Sequence, residues 1–200
     1  MLKFIYGVMG SSKSAQALIT RYNYMQNGFT VLLIKPDIDN RDDTNIRIVK
    51  SRIGLEAECI TFKDTDNLQT FVFNYCQDNS LNLKEDKIII IVDETQFCTK
   101  DHINQLKIIS NTVDVFCYGL KTNFKSELFE GSKRLLEIAD QFESIAHICE
   151  CGKQAIINAR LKDGTVQTIG DEILIGDIEY QAFCYNCWKY HQIYPIKRTV

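Results

Sequence analysis

Ile88-Ile89-Ile90-Ile91-Val92 sets five β-branched residues side by side and passes directly into Asp93-Glu94. Alternate residues of a strand face opposite ways, so an unbroken apolar run needs a dry layer on both sides, and β-branched side chains suit a pleated surface. The run predicts a central strand of a parallel sheet. Thr30-Val31-Leu32-Leu33-Ile34, ending at Pro36, and Val113 to Tyr118 supply further strands of the same kind. Between them lie helical spacings: Leu18, Tyr22 and Met25 with Gly28 as the stop; Leu68, Phe71, Val72 and Tyr75 within Asp66 to Tyr75; Ile103, Leu106 and Ile109; and Leu135, Leu136 and Ile138 behind a start near Gly131 and Ser132. Strands alternating with helices give an α/β fold, a parallel sheet flanked by helices. The polar stretch from Asp37 to Arg52, with Asp39, Arg41 and Arg52 prominent, reads as a surface loop or irregular connection.

A second feature says what the sheet holds. Gly7-Val8-Met9-Gly10-Ser11-Ser12-Lys13-Ser14 follows the apolar Phe4-Ile5-Tyr6 and precedes the first helical pattern, the setting of a phosphate-binding P-loop. There the loop N–H groups face phosphate oxygens over a helix N-terminus. Lys13 would supply the mobile cation and Ser14 the hydroxyl that holds Mg²⁺. Ser12 stands where the usual pattern has glycine, and its Cβ crowds the closest backbone approach.

Two hundred residues allow a domain of about 150 residues and a small appendage. A net charge of −3, with basic residues scattered, excludes the electrostatic footprint of a nucleic-acid polymer binder. No apolar run is long enough for a membrane span and no charged, apolar leader opens the chain, so a cytoplasmic protein is expected. In a reducing compartment eight cysteines are read for metal before disulfides. Cys59, Cys76, Cys98 and Cys117 are isolated, whereas Cys149-Glu150-Cys151 and Cys184-Tyr185-Asn186-Cys187 form two close pairs. Four thiolates at two β-turns suit a closed, tetrahedral structural Zn²⁺ site. The first pair is tighter than usual, leaving His147 or His191 as a reserve ligand. From about Ile145 the segments are short and β-rich, with Asp163-Gly164 marking a hairpin between Ile156 to Leu161 and Val166 to Ile169. Residues 1–144 are therefore assigned to a P-loop domain, and 145–200 to a small zinc-ribbon β domain.

Asp93 and Glu94 end the central strand where open α/β sheets bind ligands. Asp93 is placed to hold the Mg²⁺ shell. Glu94, projecting the other way on extended chain, can act as general base toward an acceptor hydroxyl. Phosphoryl transfer needs alignment and charge neutralisation more than covalent help, so these parts suit a kinase and equally an ATPase.

In order along the chain, the P-loop residues, Asp39-Asn40-Arg41, Asp93-Glu94-Thr95-Gln96-Phe97, and four cysteines enclosing Ile173-Leu174-Ile175-Gly176 and Tyr180 closely resemble the type II thymidine kinase family. That resemblance implies transfer of the γ-phosphate of ATP, with Mg²⁺, to the 5′-hydroxyl of thymidine or deoxyuridine. It implies Glu94 as the base and Asp39, Arg41 and Gln96 beside the nucleotide. Phe97, Leu120, Phe124 and Phe129 would wall the nucleoside pocket. A lasso-like loop held by the zinc site, Ile173 to Gly176, would clamp thymine through main-chain groups, and Tyr180 would close over sugar and base. Gly10 and Lys121 depart from residues found in some family members. The family further implies a homotetramer and feedback inhibition by thymidine triphosphate. The competing reading is a P-loop ATPase whose zinc ribbon binds nucleic acid or a protein partner.

Overall fold

The computed structural model describes residues 1–37, 47–170 and 179–196. Asp39, Arg41, Ile173, Leu174, Ile175 and Gly176 lie outside them. The chain runs β1 (Leu2–Tyr6), α1 (Lys13–Gln26), β2 (Thr30–Pro36), β3 (Ile48–Lys50), β4 (Glu56–Glu58), β5 (Ile60–Phe62), α2 (Leu68–Asp78), β6 (Ile88–Val92), α3 (Lys100–Ile109), β7 (Asp114–Gly119), α4 (Glu130–Ile138), β8 (Gln141–Ser144), β9 (Ile157–Lys162), β10 (Thr165–Val166), β11 (Glu179–Phe183) and α5 (Tyr185–Tyr190). No described helix is long and apolar enough to cross a membrane.

Six strands form a parallel sheet in the order β5-β2-β6-β7-β1-β8. The isoleucine run is β6, third of the six and at most 4% exposed at every residue. Its side chains divide by parity, as a period of two requires. Ile88, Ile90 and Val92 join the apolar layer under α2, α3 and α4, while Ile89 and Ile91 join Ala17 and Leu18 of α1 on the other face. Each fully buried isoleucine contributes about 1.5–3 kcal/mol, so this run anchors both layers. Continuing the parity, Asp93 emerges on the α1 face, beside the phosphate loop.

Four expectations need correction. The polar stretch is not loop to Arg52: Ile48–Lys50 is β3, paired antiparallel with β4, and its middle residue Val49 is buried. Edge strands β5 and β8 lack an apolar run, β8 being exposed throughout, so pattern reading passes over them. On α1 the buried residues are Ala15, Ala17 and Leu18, whereas Tyr22 is 61% exposed. Cys184 and Cys187 do not lie in a β-turn: Cys184 is the residue before α5 and Cys187 is inside it.

The remaining strands form a separate three-stranded antiparallel sheet, β10-β9-β11. Asp163 (φ 51°) and Gly164 (φ 75°) make the expected two-residue turn, with φ positive at both positions, though β10 is only two residues long. Ile157, Ala159, Leu161, Phe183 and Trp188 build a core here, and Val8 of the phosphate loop packs into it. That contact brings the small sheet against the nucleotide end of the large one.

Candidate active site

The phosphate loop leaves β1 at the C-terminal edge of the sheet, where Gly7 N–H bonds Gly119 O at 3.3 Å. Gly10 takes φ +81° and Ser12 φ +66°. Ser12 thus adopts the left-handed conformation that its glycine counterpart would reach without strain, at a cost of about 1–2 kcal/mol. Ser12→Gly is expected to raise stability by about 1 kcal/mol, the relief of strain less the added freedom of the unfolded chain. Denaturant midpoints check this, and an unchanged or lower midpoint would contradict it.

Lys13 Nζ donates to Val8 O at 2.8 Å within the loop. Burial lowers its pKa, while Glu94 and Asp93 oppose the shift. The Asp93 carboxylate, only 3% exposed, is near enough to the Ser14 hydroxyl for that group to favour its charged form. Burial, then the neighbouring Glu94, push Asp93 up to about 7, and its Oδ1 is buried without a partner among the described residues. An orphaned carboxylate oxygen beside a loop hydroxyl fits a divalent-cation shell. Because the folded pKa lies above the ordinary 3.8, the stability this group contributes is full below about pH 4 and lost as pH rises through about 7. Asp93→Asn should therefore match the wild-type melting temperature near pH 4 and exceed it at pH 8 in the ligand-free protein. A parallel pH dependence of the two proteins would contradict the assignment.

Glu94 is not on extended chain. It sits at φ 55°, ψ 38°, just before a 3₁₀ turn at Thr95–Phe97, and this bend, rather than strand alternation, separates it from Asp93. Its Oε2 accepts from Gln96 Nε2 at 2.5 Å, and Gln96 Oε1 accepts from Leu120 N–H at 2.9 Å. Gln96, expected beside the nucleotide, thus spends both ends of its amide orienting Glu94. Thr95 Oγ1 donates to Tyr118 O at 3.0 Å and fixes the turn to β7.

A cavity of about 370 Å³ joins these groups. Met9, Gly10, Ser12, Lys13 and Ser14 of the loop line it together with Glu94, Gln96 and the largely apolar set Phe97, Leu120, Phe124, Phe129 and Tyr180. Lys13 and Glu94 share this space without forming an ion pair among the described residues. Phe97 and Phe129 meet edge to face at 5.8 Å. Three loop residues and Asp93 do not line the cavity: Gly7 and Val8 line a second, smaller one, Val8 also packing in the small-sheet core, Ser11 is buried with its hydroxyl turned toward Gly7, and Asp93 is buried.

The Sγ atoms of Cys149, Cys151, Cys184 and Cys187 lie within 4.8 Å of one another. Tetrahedral zinc with Zn–S near 2.3 Å needs sulfurs about 3.8 Å apart, so the cluster suggests a zinc site. Neither histidine joins it. His191 Nε2 pairs with Glu150 Oε1 at 2.6 Å and its Nδ1 with Tyr194 O at 2.9 Å. His147 lies against Gly10 instead.

The sequence model of the thymidine kinase family matches residues 1–188. The chain belongs to the thymidine kinase family. It is 41% identical over 191 residues to the thymidine kinase of Enterobacteria phage T4, covering 94% of this chain and 95% of that protein. The thymidine kinases of Rhodopirellula baltica and Shewanella oneidensis are each 37% identical over 187 residues, covering 92% of this chain and 85% and 93% of theirs.

Several residues of this thymidine kinase family chain were not legible as site residues. Asn158 on β9, 3% exposed, accepts from Met9 N–H at 2.6 Å and donates to Thr122 O at 3.1 Å, tying the phosphate loop to the segment after β7. Arg160, also buried, stacks 3.7 Å over the Phe124 ring and donates to Tyr180 Oη from Nε (3.1 Å) and Nη2 (3.0 Å). Both lie on the face of β9 opposite Ile157, Ala159 and Leu161, and both are buried there. A buried polar residue needs partners, but the burial of these two is a property of the folded chain that the sequence does not announce.

Proposed function

We propose that the chain is an ATP-dependent thymidine kinase, transferring the γ-phosphoryl group of ATP to the 5′-hydroxyl of thymidine or deoxyuridine. The observation that carries this reading is that the phosphate loop, the Glu94 side chain and the aromatic residues line one cavity. Such a space accommodates a donor's phosphates at one end and a flat base at the other.

In this reading the P-loop backbone and Lys13 bind the phosphates, and Asp39 and Arg41 join them. Ser14 and Asp93 would hold Mg²⁺, which supplies charge neutralisation on the polyphosphate. Gln96 orients Glu94, whose carboxylate takes the 5′-hydroxyl proton as the oxygen attacks phosphorus. Phe97, Leu120, Phe124 and Phe129 exclude water and hold the nucleoside. Arg160, through its two bonds to Tyr180 Oη, positions that ring over the sugar and base. Ile173 to Gly176 would read thymine by main-chain groups, a suitable device because thymine offers two carbonyl acceptors and one N–H. Zinc held by the four cysteines would anchor the segment between them, reducing the entropy lost on closure.

A division into residues 1–144 and 145–200, a cytoplasmic homotetramer and feedback inhibition by thymidine triphosphate complete the reading. The ATPase alternative leaves the aromatic slot without an occupant. A panel of deoxynucleosides with ATP and Mg²⁺ tests the proposal: thymidine and deoxyuridine should be phosphorylated, and transfer to neither would end it.

A further inference from the structure

Arg52 lines the cavity beside the phosphate loop. It belongs to the turn joining β3 to β4, and that turn is tightly held. Ser51 N–H bonds Leu55 O at 2.8 Å, Gly54 N–H bonds Ser51 O at 3.2 Å, Leu55 N–H bonds Ser51 Oγ at 2.9 Å, and the Ser51 hydroxyl returns to Leu55 O at 3.1 Å. Val49 at the base is buried in the apolar layer shared with α1. A turn so anchored presents Arg52 in a fixed direction, toward the cavity that Lys13 and Glu94 line.

The guanidinium reaches the phosphate loop itself. A Cβ built on Gly10 would lie 3.6 Å from Arg52 Nη1. Its charge is felt at Lys13, where it is one of the causes lowering the ammonium pKa, after burial. Lys50, its neighbour, is paired with Glu56 at 3.7 Å. Among the described residues Arg52 has no carboxylate partner. Two cations directed into one cleft repel each other unless an anion of more than one charge lies between them. Glu94 lines the same space, and in the phosphotransfer reading the anion that satisfies both cations there is the phosphoryl group undergoing transfer.

The geometry points to Arg52 as a further catalytic residue, whose guanidinium contacts the γ-phosphoryl group and neutralises its charge during transfer. This rests on the phosphotransfer reading above. In the step, the acceptor oxygen bonds to the γ-phosphorus and the bond from that phosphorus to the bridging oxygen breaks. Its electron pair stays on ADP, and the acceptor proton passes to Glu94. Arg52 stays protonated throughout, and its planar fork matches two phosphoryl oxygens at once.

Steady-state kinetics of wild type, R52Q and R52K with ATP, Mg²⁺ and thymidine test this, alongside calorimetric binding of thymidine and melting temperatures. For R52Q, kcat should fall on the order of 10²-fold or more, with thymidine affinity within about twofold of wild type. A kcat within about threefold of wild type overturns the role. If R52Q melts early, R52K decides. Unchanged thymidine affinity with kcat lowered at least about tenfold supports the assignment, because an ammonium lacks the fork, and full kcat overturns it. A wild-type chain that transfers no phosphate to thymidine overturns the phosphotransfer reading and this role with it. An active wild type with an unaffected R52Q overturns the role alone.

Discussion

Glu94→Gln is expected to lower the turnover of thymidine on the order of 10²-fold or more while leaving nucleoside affinity within about threefold. The substitution is nearly isosteric, and a glutamine oxygen can still accept the Gln96 amide hydrogen that Glu94 Oε2 accepts at 2.5 Å. The bend at φ 55° stays available as well, so the change removes a proton acceptor and a charge rather than a shape. Removing an interaction made only as the hydroxyl loses its proton lowers kcat without raising the dissociation constant of the nucleoside. Steady-state kcat at saturating ATP, paired with a calorimetric thymidine titration, checks both halves. An unchanged kcat removes the base role. A parallel loss of affinity would make Glu94 a binding residue instead.

Cys151→Ser should be the most damaging single change to the fold. A zinc ion among the four thiolates would hold the turn before β9 to the start of α5, and structural zinc in small modules is worth about 10–16 kcal/mol in apparent binding energy. Losing one ligand is expected to remove at least about 3 kcal/mol of stability, a fall in melting temperature on the order of 10 °C for a chain of this size. The damage should reach the active site, because Asn158 of β9 bonds Met9 N–H of the phosphate loop at 2.6 Å. Zinc content by elemental analysis, melting temperature and kcat should therefore fall together. A variant that keeps one zinc per chain and its wild-type melting temperature contradicts the four-cysteine assignment. His191→Ala supplies the contrast: zinc should be retained, since that ring is engaged by Glu150 and Tyr194.

Legibility followed the range of the physical signal. The Ile88 to Val92 run needs only its own composition to announce two buried faces, and it proved to be a central strand of the large sheet. The phosphate loop and the paired cysteines are likewise local patterns, and the structure brings each set together. Edge strand β8, exposed at all its residues, makes its place through backbone pairing with β1, which composition does not record. Asn158 and Arg160 were silent for a different reason. Their partners Met9 and Thr122 lie far along the chain and Tyr180 on the paired strand β11, so burial and hydrogen bonding appear only once the strands are paired and the two sheets packed. Arg52 was visible as a charge in a polar stretch. Only the β3–β4 pairing turns it toward Gly10.

The most direct measurement incubates the purified chain with γ-labelled ATP, Mg²⁺ and thymidine and follows the label. Arrival of label on the 5′-oxygen of thymidine, abolished when thymidine is replaced by its 5′-deoxy analogue, is the predicted result. Release of label as free phosphate at the same rate with or without nucleoside would contradict the account, because a cavity that joins a phosphate site to an aromatic slot would then be carrying out hydrolysis alone.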